Sequence, residues 1–198
     1  MRVTMFDSGA GNLHSLEKAL VLAGATVRVD TDPVGCLDTD VLVLPGVGAF
    51  AHAAARLAPG RAAMRDALRG GLPAIGICLG MQLFFDGSDE GDGAGLGLIS
   101  GRVERMTSAR VPQIGWNTIE EAADPLLDAA PLAWAYYANS FVVHPTTPEC
   151  VTAWSIHDGD RFPAIVRSGR TIGVQFHPEK SSAPGVRFLA AALAECAR

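Results

Sequence analysis

A chain of 198 residues, 48% hydrophobic and 19% charged, holds enough apolar material for one globular unit with a substantial core. Its formal net charge of -5 provides no basic surface, which excludes nucleic acid as the main partner, and no apolar run is long enough to span a bilayer. Four scattered cysteines (Cys36, Cys78, Cys150, Cys196) make neither a C-x-x-C pair nor a zinc spacing, and Asp7 follows the start too early for a signal peptide. The expectation is a single domain over 1–198 in a reduced, cytoplasmic setting, with no metal, no cofactor and no membrane contact.

Val3 to Phe6 is predicted as a first strand and Asn12 to Leu22 as a helix, with Leu13, Leu16 and Leu20 at helical spacing. Asp7 to Asn12 joins them in a tight turn, and its lone Gly-x-Gly does not by itself specify a ligand. Val27 and Val29 mark a second strand, and Val41 to Leu44 a third that ends in Pro45-Gly-Val-Gly-Ala-Phe50. Glycines just past a strand's carboxyl end let backbone N–H groups face a ligand, although an ordinary strand-to-helix turn uses them too. Ala51 to Arg69 is helical in character, broken at Pro59-Gly60.

Pro73 to Phe85 organises the rest. Pro73-Ala-Ile-Gly-Ile77 reads as a buried strand and Leu79 to Phe85 as the start of a helix, with Cys78 at the turn inside Gly76-x-Cys78-x-Gly80. A sharp strand-to-helix turn needs small neighbours, and it pushes its central side chain out over a helix N-terminus, where an anion is favoured. Cys78 is therefore a candidate nucleophile, the alternative being a cysteine packed as a small hydrophobe.

Residues 86–97 are polar, acidic and Gly-rich and read as a solvated linker. Beyond Leu98 short strands are predicted at Gly101–Met106, Thr118–Glu121, Leu132–Tyr137, Val151–Ile156, Ala164–Arg167 and Thr171–Phe176, with an apolar loop at Pro112–Asn117 and a helix from Val186 to Cys196. The fold class expected is α/β: a mostly parallel central sheet with helices on both faces and additional short antiparallel strands in the second half.

A thiol nucleophile needs a base, and five histidines are available. In Thr171-Ile-Gly-Val-Gln-Phe-His177, alternation puts Ile172, Val174 and Phe176 on one face and Gly173, Gln175 and His177 on the other. Pro178 then stops the strand and Glu179 follows, a rigid corner in which a carboxylate can orient an imidazole. His157-Asp158 is the runner-up, and reads better as a solvated turn.

Gly-Ile-Cys78-Leu-Gly-Met-Gln82 together with Gln175-Phe-His-Pro-Glu-Lys-Ser181 resembles the class I (triad) glutamine amidotransferases. Gly9-Ala-Gly-Asn-Leu-His-Ser15, Leu44-Pro-Gly-Val-Gly-Ala-Phe50 and Pro112-Gln-Ile-Gly-Trp-Asn117 narrow the likeness to the branch that supplies ammonia to a cyclase in histidine biosynthesis. The resemblance implies Cys78, His177 and Glu179 as the catalytic set acting on L-glutamine. It implies backbone N–H groups of Leu79 and, after a peptide rearrangement, Val47 as oxyanion donors. Gly48, Gln82, Asn139, Ser140 and Phe141 would form the substrate pocket. A (βα)₈-barrel cyclase subunit is the implied partner in a heterodimer, receiving ammonia through an internal tunnel, with Asn12, Trp116, Tyr136 and Lys180 on the docking face. Asn139-Ser140-Phe141 departs from the family's commoner His-Ser/Thr-Tyr, and Ser8 stands where a tyrosine often follows the first aspartate. The alternatives are the amidotransferase component of another synthase, such as that of anthranilate synthesis, a thiol hydrolase on an elbow fold, and a non-catalytic binding or redox-sensing protein.

Overall fold

The computed structural model describes residues 1–9 and 13–198. Its elements in chain order are β1 (Arg2–Phe6), α1 (His14–Leu22), β2 (Thr26–Asp30), β3 (Val41–Leu44), α2 (Phe50–Leu57), α3 (Arg61–Arg69), β4 (Ala74–Ile77), α4 (Leu79–Gln82) and β5 (Gly87–Ser88). The second half adds β6 (Gly101–Arg105), β7 (Gln113–Thr118), α5 (Pro125–Ala129), β8 (Trp134–Asn139), β9 (Phe141–Pro145), β10 (Val151–His157), β11 (Asp160–Ser168), β12 (Thr171–Val174) and α6 (Ser182–Cys196). A seven-stranded sheet runs β10-β11-β12-β4-β3-β1-β2, parallel from β12 through to β2 and antiparallel among β10, β11 and β12. A three-stranded sheet (β5-β6-β9) and the β7-β8 ribbon stand beside it.

Near-continuous apolar runs such as Val41–Leu44 suit strands buried on both faces. Alternate residues divide between two cores. Val3, Met5, Val41, Val43, Ile75 and Ile77 pack with Leu16 and Leu20 of α1 and Phe188 and Leu189 of α6. Leu42, Leu44 and Ala74 pack with Phe50 and Leu57 of α2 and Met64 and Leu68 of α3 on the opposite face. Each such side chain taken from water contributes about 1.5–3 kcal/mol, so the two layers hold the central strands in fixed register. The α/β architecture expected from the sequence is the one observed.

Several local expectations are corrected. The helix after Cys78 ends at Gln82 rather than continuing to Phe85, because Phe84 and Phe85 turn into the second core. The loop expected at Pro112–Asn117 is mostly strand β7, and of the strand expected at Thr118–Glu121 only Thr118 belongs to it. The ribbon turns Ile114 (68% exposed) and Trp116 (50% exposed) outward, so its apolar residues do not give the pattern of a core-facing strand. Residues 86–97 are not simply a solvated linker: Gly87 and Ser88 form β5, and Leu96 is buried. Strand β9 and helix α5 were not anticipated.

At the far side from Cys78 an ion network ties the second half together. Asp124 is fully buried, caps α5 by accepting from Leu126 N at 2.9 Å, accepts from Thr152 Oγ1 at 2.6 Å, and takes a two-pronged contact from Arg167 at 2.6 and 2.7 Å. Burial opposes the charge on Asp124, but these donors outweigh it and hold the carboxyl below its ordinary value. Asp124→Ala leaves a largely buried guanidinium short of a partner and is expected to cost about 3 kcal/mol or more, read as a lowered urea midpoint.

Candidate active site

Cys78 sits one residue past the carboxyl end of β4 with φ 52° and ψ −108°, a left-handed conformation that costs a non-glycine residue energy. The glycines around it make the turn possible. A Cβ on Gly80 would overlap the carbonyl oxygen of Leu44, one on Gly46 would overlap Leu79, and one on Gly76 would run into Phe84 and Gly80 O. The backbone of β3 therefore packs directly on the start of α4, and Gln82 N returns to Cys78 O at 3.1 Å.

His177 lies beyond β12, where its N–H donates to Tyr136 O of β8 at 2.8 Å. Ser181 Oγ donates to His177 O at 2.7 Å and accepts from Tyr136 N at 2.9 Å, closing the corner. Pro178–Lys180 form a single 3₁₀ turn, which returns the Glu179 carboxylate to His177 Nδ1 at 2.8 Å. Both side chains are buried. With Nδ1 held by the carboxylate, Nε2 is the free nitrogen, and it is buried without a hydrogen-bond partner. Burial opposes protonation of this imidazole, but the charge of the Cys78 sulfur and a hydrogen-bonding contact with it, followed by the hydrogen bond to Glu179 and its charge, outweigh burial and raise the pKa well above the ordinary histidine value. The sulfur therefore stands close enough to act on the ring although a well-aligned hydrogen bond to Nε2 is not formed, and such nucleophile–base contacts commonly tighten only once substrate is bound.

A cavity of about 190 Å³ opens beside the sulfur, lined by Gly46, Val47, Gly48, Cys78, Leu79, Gln82, Glu90 and the 138–141 segment. Both expected oxyanion positions and all five expected pocket residues border it. Asn139 is buried; its Nδ2 donates to Phe141 O at 3.2 Å and to Met106 Sδ at 3.4 Å, while its Oδ1 has no partner. Two residues were not singled out from the sequence for this place. Glu90, inside the supposed linker, supplies the only carboxylate lining the cavity among the described residues and accepts from Phe50 N at 2.8 Å, capping α2. Gln175 is buried and donates to Cys78 Sγ at 3.4 Å; its place on the His177 face of the strand was the available signal.

Trp116 and Tyr136 share one face of the β7-β8 ribbon, and Lys180, from the turn after His177, reaches over it. Trp116 and Tyr136 meet edge-on with centroids 6.3 Å apart, and Lys180 Nζ stands 5.7 Å from the Tyr136 ring. Trp134 (57% exposed) and Ile114 extend the same face. Asn12 lies outside the described residues. His157 is elsewhere: its Nε2 contacts Arg110 O at 2.9 Å while Asp158 pairs with Arg110. Among the described residues no cluster of metal-ligating side chains occurs, and no helix is long and apolar enough to cross a membrane.

A strained cysteine elbow, a His-Glu pair and an adjoining small cavity on a parallel sheet are the parts of an enzyme with a thiol nucleophile. Residues 4–196 match the family model for glutamine amidotransferase class-I, and the chain belongs to that family. It is 43% identical over 196 residues to the imidazole glycerol phosphate synthase subunit HisH of Symbiobacterium thermophilum, covering 96% of this chain and 92% of that protein. Identity to the subunit of the same name from Halobacterium salinarum is 42%, over 94% of this chain and 90% of that one. A crystal structure of a glutamine amidotransferase superposes with TM-score 0.74 at 20% identity, covering 96% of this chain and 98% of the other.

Proposed function

We propose that this chain is the glutaminase subunit of imidazole glycerol phosphate synthase, hydrolysing L-glutamine and passing ammonia to a cyclase. The observation that carries the reading is the convergence of Cys78, the His177–Glu179 pair and the 190 Å³ cavity at one sheet edge, in a chain 43% identical to a HisH subunit.

The geometry supports the following reaction. Cys78 Sγ, as thiolate, attacks the side-chain amide carbon of glutamine while His177 holds the proton on Nε2. The tetrahedral oxyanion is met by the backbone N–H of Leu79 and, after a peptide rearrangement, by that of Val47, both bordering the cavity, and each such donor lowers the barrier by roughly 3–4 kcal/mol. Collapse breaks the C–N bond, and the proton on Nε2 goes to the departing ammonia. Water, deprotonated by the now neutral His177, then attacks the γ-glutamyl thioester, and glutamate leaves as the thiolate is restored. Glu179 keeps the imidazole in the tautomer that presents Nε2 throughout. Gln82, Gly48 and the 139–141 backbone hold the amino acid, and Glu90 lies where it can pair with the substrate's α-ammonium group.

The partner is a (βα)₈-barrel cyclase subunit, docked on the Trp116, Tyr136 and Lys180 face. This face is exposed, aromatic and joined to the site by the hydrogen bond from His177 N to Tyr136 O and by Ser181 Oγ, which accepts from Tyr136 N and donates to His177 O. Ammonia delivered there reacts with the phosphoribulosyl-formimino carboxamide ribonucleotide, giving imidazole glycerol phosphate and an aminoimidazole carboxamide ribonucleotide. Mixing the full chain with such a cyclase subunit and that nucleotide should yield glutamate and imidazole product in equal amounts, at a rate well above the lone chain's glutaminase. Glutamate without imidazole product would point to another synthase, and no glutamate under any of these conditions would refute the reading.

A further inference from the structure

Gln175 has no task in the reaction above, yet its amide touches the nucleophile. It stands one residue beyond β12, with its N–H bound to Ala164 O at 3.0 Å, and Val174 pairs in register with Ile77, so its neighbour across the sheet is Cys78. The side chain is fully buried. Its Nε2 donates to Cys78 Sγ at 3.4 Å, and its Oε1 accepts from Gln82 Nε2 at 3.4 Å. Gln82 Nε2 also donates to the carbonyl oxygen of Phe141 at 3.1 Å.

The direction of this chain is fixed by chemistry. A backbone carbonyl can only accept, so Gln82 must turn its NH₂ toward Phe141 O. The second hydrogen on that nitrogen reaches Gln175, which must therefore present its oxygen there. What remains for the sulfur is the Gln175 NH₂. Turning either amide round would set two donors or two acceptors against each other in a buried place, where an unmade hydrogen bond is costly.

We propose that Gln175 is a positioning residue for the glutaminase: it donates an N–H to the Cys78 sulfur in its anionic form, and takes its orientation from Phe141 O through Gln82. The proposal rests on the glutaminase reading and adds to it a physical link between the substrate pocket and the nucleophile. Hydrogen bonds strengthen when the acceptor is charged, so the contact favours the thiolate over the thiol. The charged groups beside the sulfur are His177 with its Glu179 partner, from the turn after β12, and Glu90, from the loop beyond α4, lines the adjoining cavity. The α4 helix and the Gly46–Gly48 turn bring none. Gln175 is thus the uncharged donor among them.

The test follows alkylation of Cys78 by iodoacetamide across pH in the full chain, with peptide mass mapping, alongside glutamate release with the cyclase subunit present. Gln175→Met keeps the length and removes the donor; Gln175→Glu keeps the shape and puts acceptors against the sulfur. In both, the pH at which alkylation reaches half its plateau should rise by about one unit or more, the size expected when a hydrogen bond to a charged group is lost. The kcat of Gln175→Met should fall about tenfold, with KM changed by less than about twofold. Gln82→Met does not touch the sulfur, yet should move the alkylation profile the same way, because the Gln175 amide loses what orients it. Unchanged alkylation profiles in folded Gln175→Met and Gln175→Glu proteins would overturn the proposal. If neither variant folds, Gln82→Met decides by the same readout: a shifted profile supports the link and an unshifted one overturns it. Alkylation consumes no glutamine, so a failure of the glutaminase reading would appear separately, as wild-type protein releasing no glutamate.

Discussion

Cys78→Ala is expected to reduce glutamate release from glutamine by about 10⁴-fold or more, leaving cyclase product formation from added ammonium salt intact. No other thiol stands beside the cavity to take its place. Alanine also relieves the strained φ of 52° no better than cysteine does, so the fold should persist with its elbow intact. Circular dichroism and the ammonia-dependent rate, measured on the same preparation, separate loss of chemistry from loss of structure. Substantial glutamine hydrolysis in the variant would remove Cys78 from the mechanism.

Glu179→Gln should lower glutaminase turnover by about 10²–10⁴-fold while changing the size of the side chain little. The carboxylate at 2.8 Å from Nδ1 keeps that nitrogen protonated and leaves Nε2 to manage the proton on its way to ammonia. An amide can instead offer its NH₂ to Nδ1 and hold the ring in the wrong tautomer. The same pair carries a dependence of stability on pH. Because the folded His177 pKa is raised, its contribution to stability is complete below the unfolded value of 6.5 and is lost as pH rises through the folded one. The difference in thermal midpoint between wild type and Glu179→Gln should therefore be larger near about pH 6 than near about pH 9. A gap that widens with rising pH would contradict this assignment of the charge pair.

The chemistry-bearing residues were legible because local rules force them. Gly76 and Gly80 flank Cys78 where any Cβ would strike neighbouring backbone or Phe84, and the His177-Pro178-Glu179 corner forms a 3₁₀ turn that brings its carboxylate to the ring. The parallel sheet followed from apolar runs such as Val41–Leu44, with glycine turns after them. Less legible were features set by distant contacts. Glu90 sits in a polar, Gly-rich segment, and only the fold shows that it lines the cavity and accepts from Phe50 N at the start of α2. Strand β7 resembles a loop in sequence because its outward Ile114 and Trp116 belong to a surface ribbon, where burial imposes no alternation. The Gln82–Gln175 contact joins residues 93 positions apart, and no spacing rule reaches that far.

The most direct measurement is covalent capture at the active site by an electrophilic analogue of glutamine, followed by peptide mass mapping of the full chain. The modification should fall on Cys78 alone, should be prevented by excess L-glutamine, and should quicken when the cyclase subunit and its nucleotide are added. Modification at another cysteine, or labelling of Cys78 that glutamine does not slow, would contradict the account.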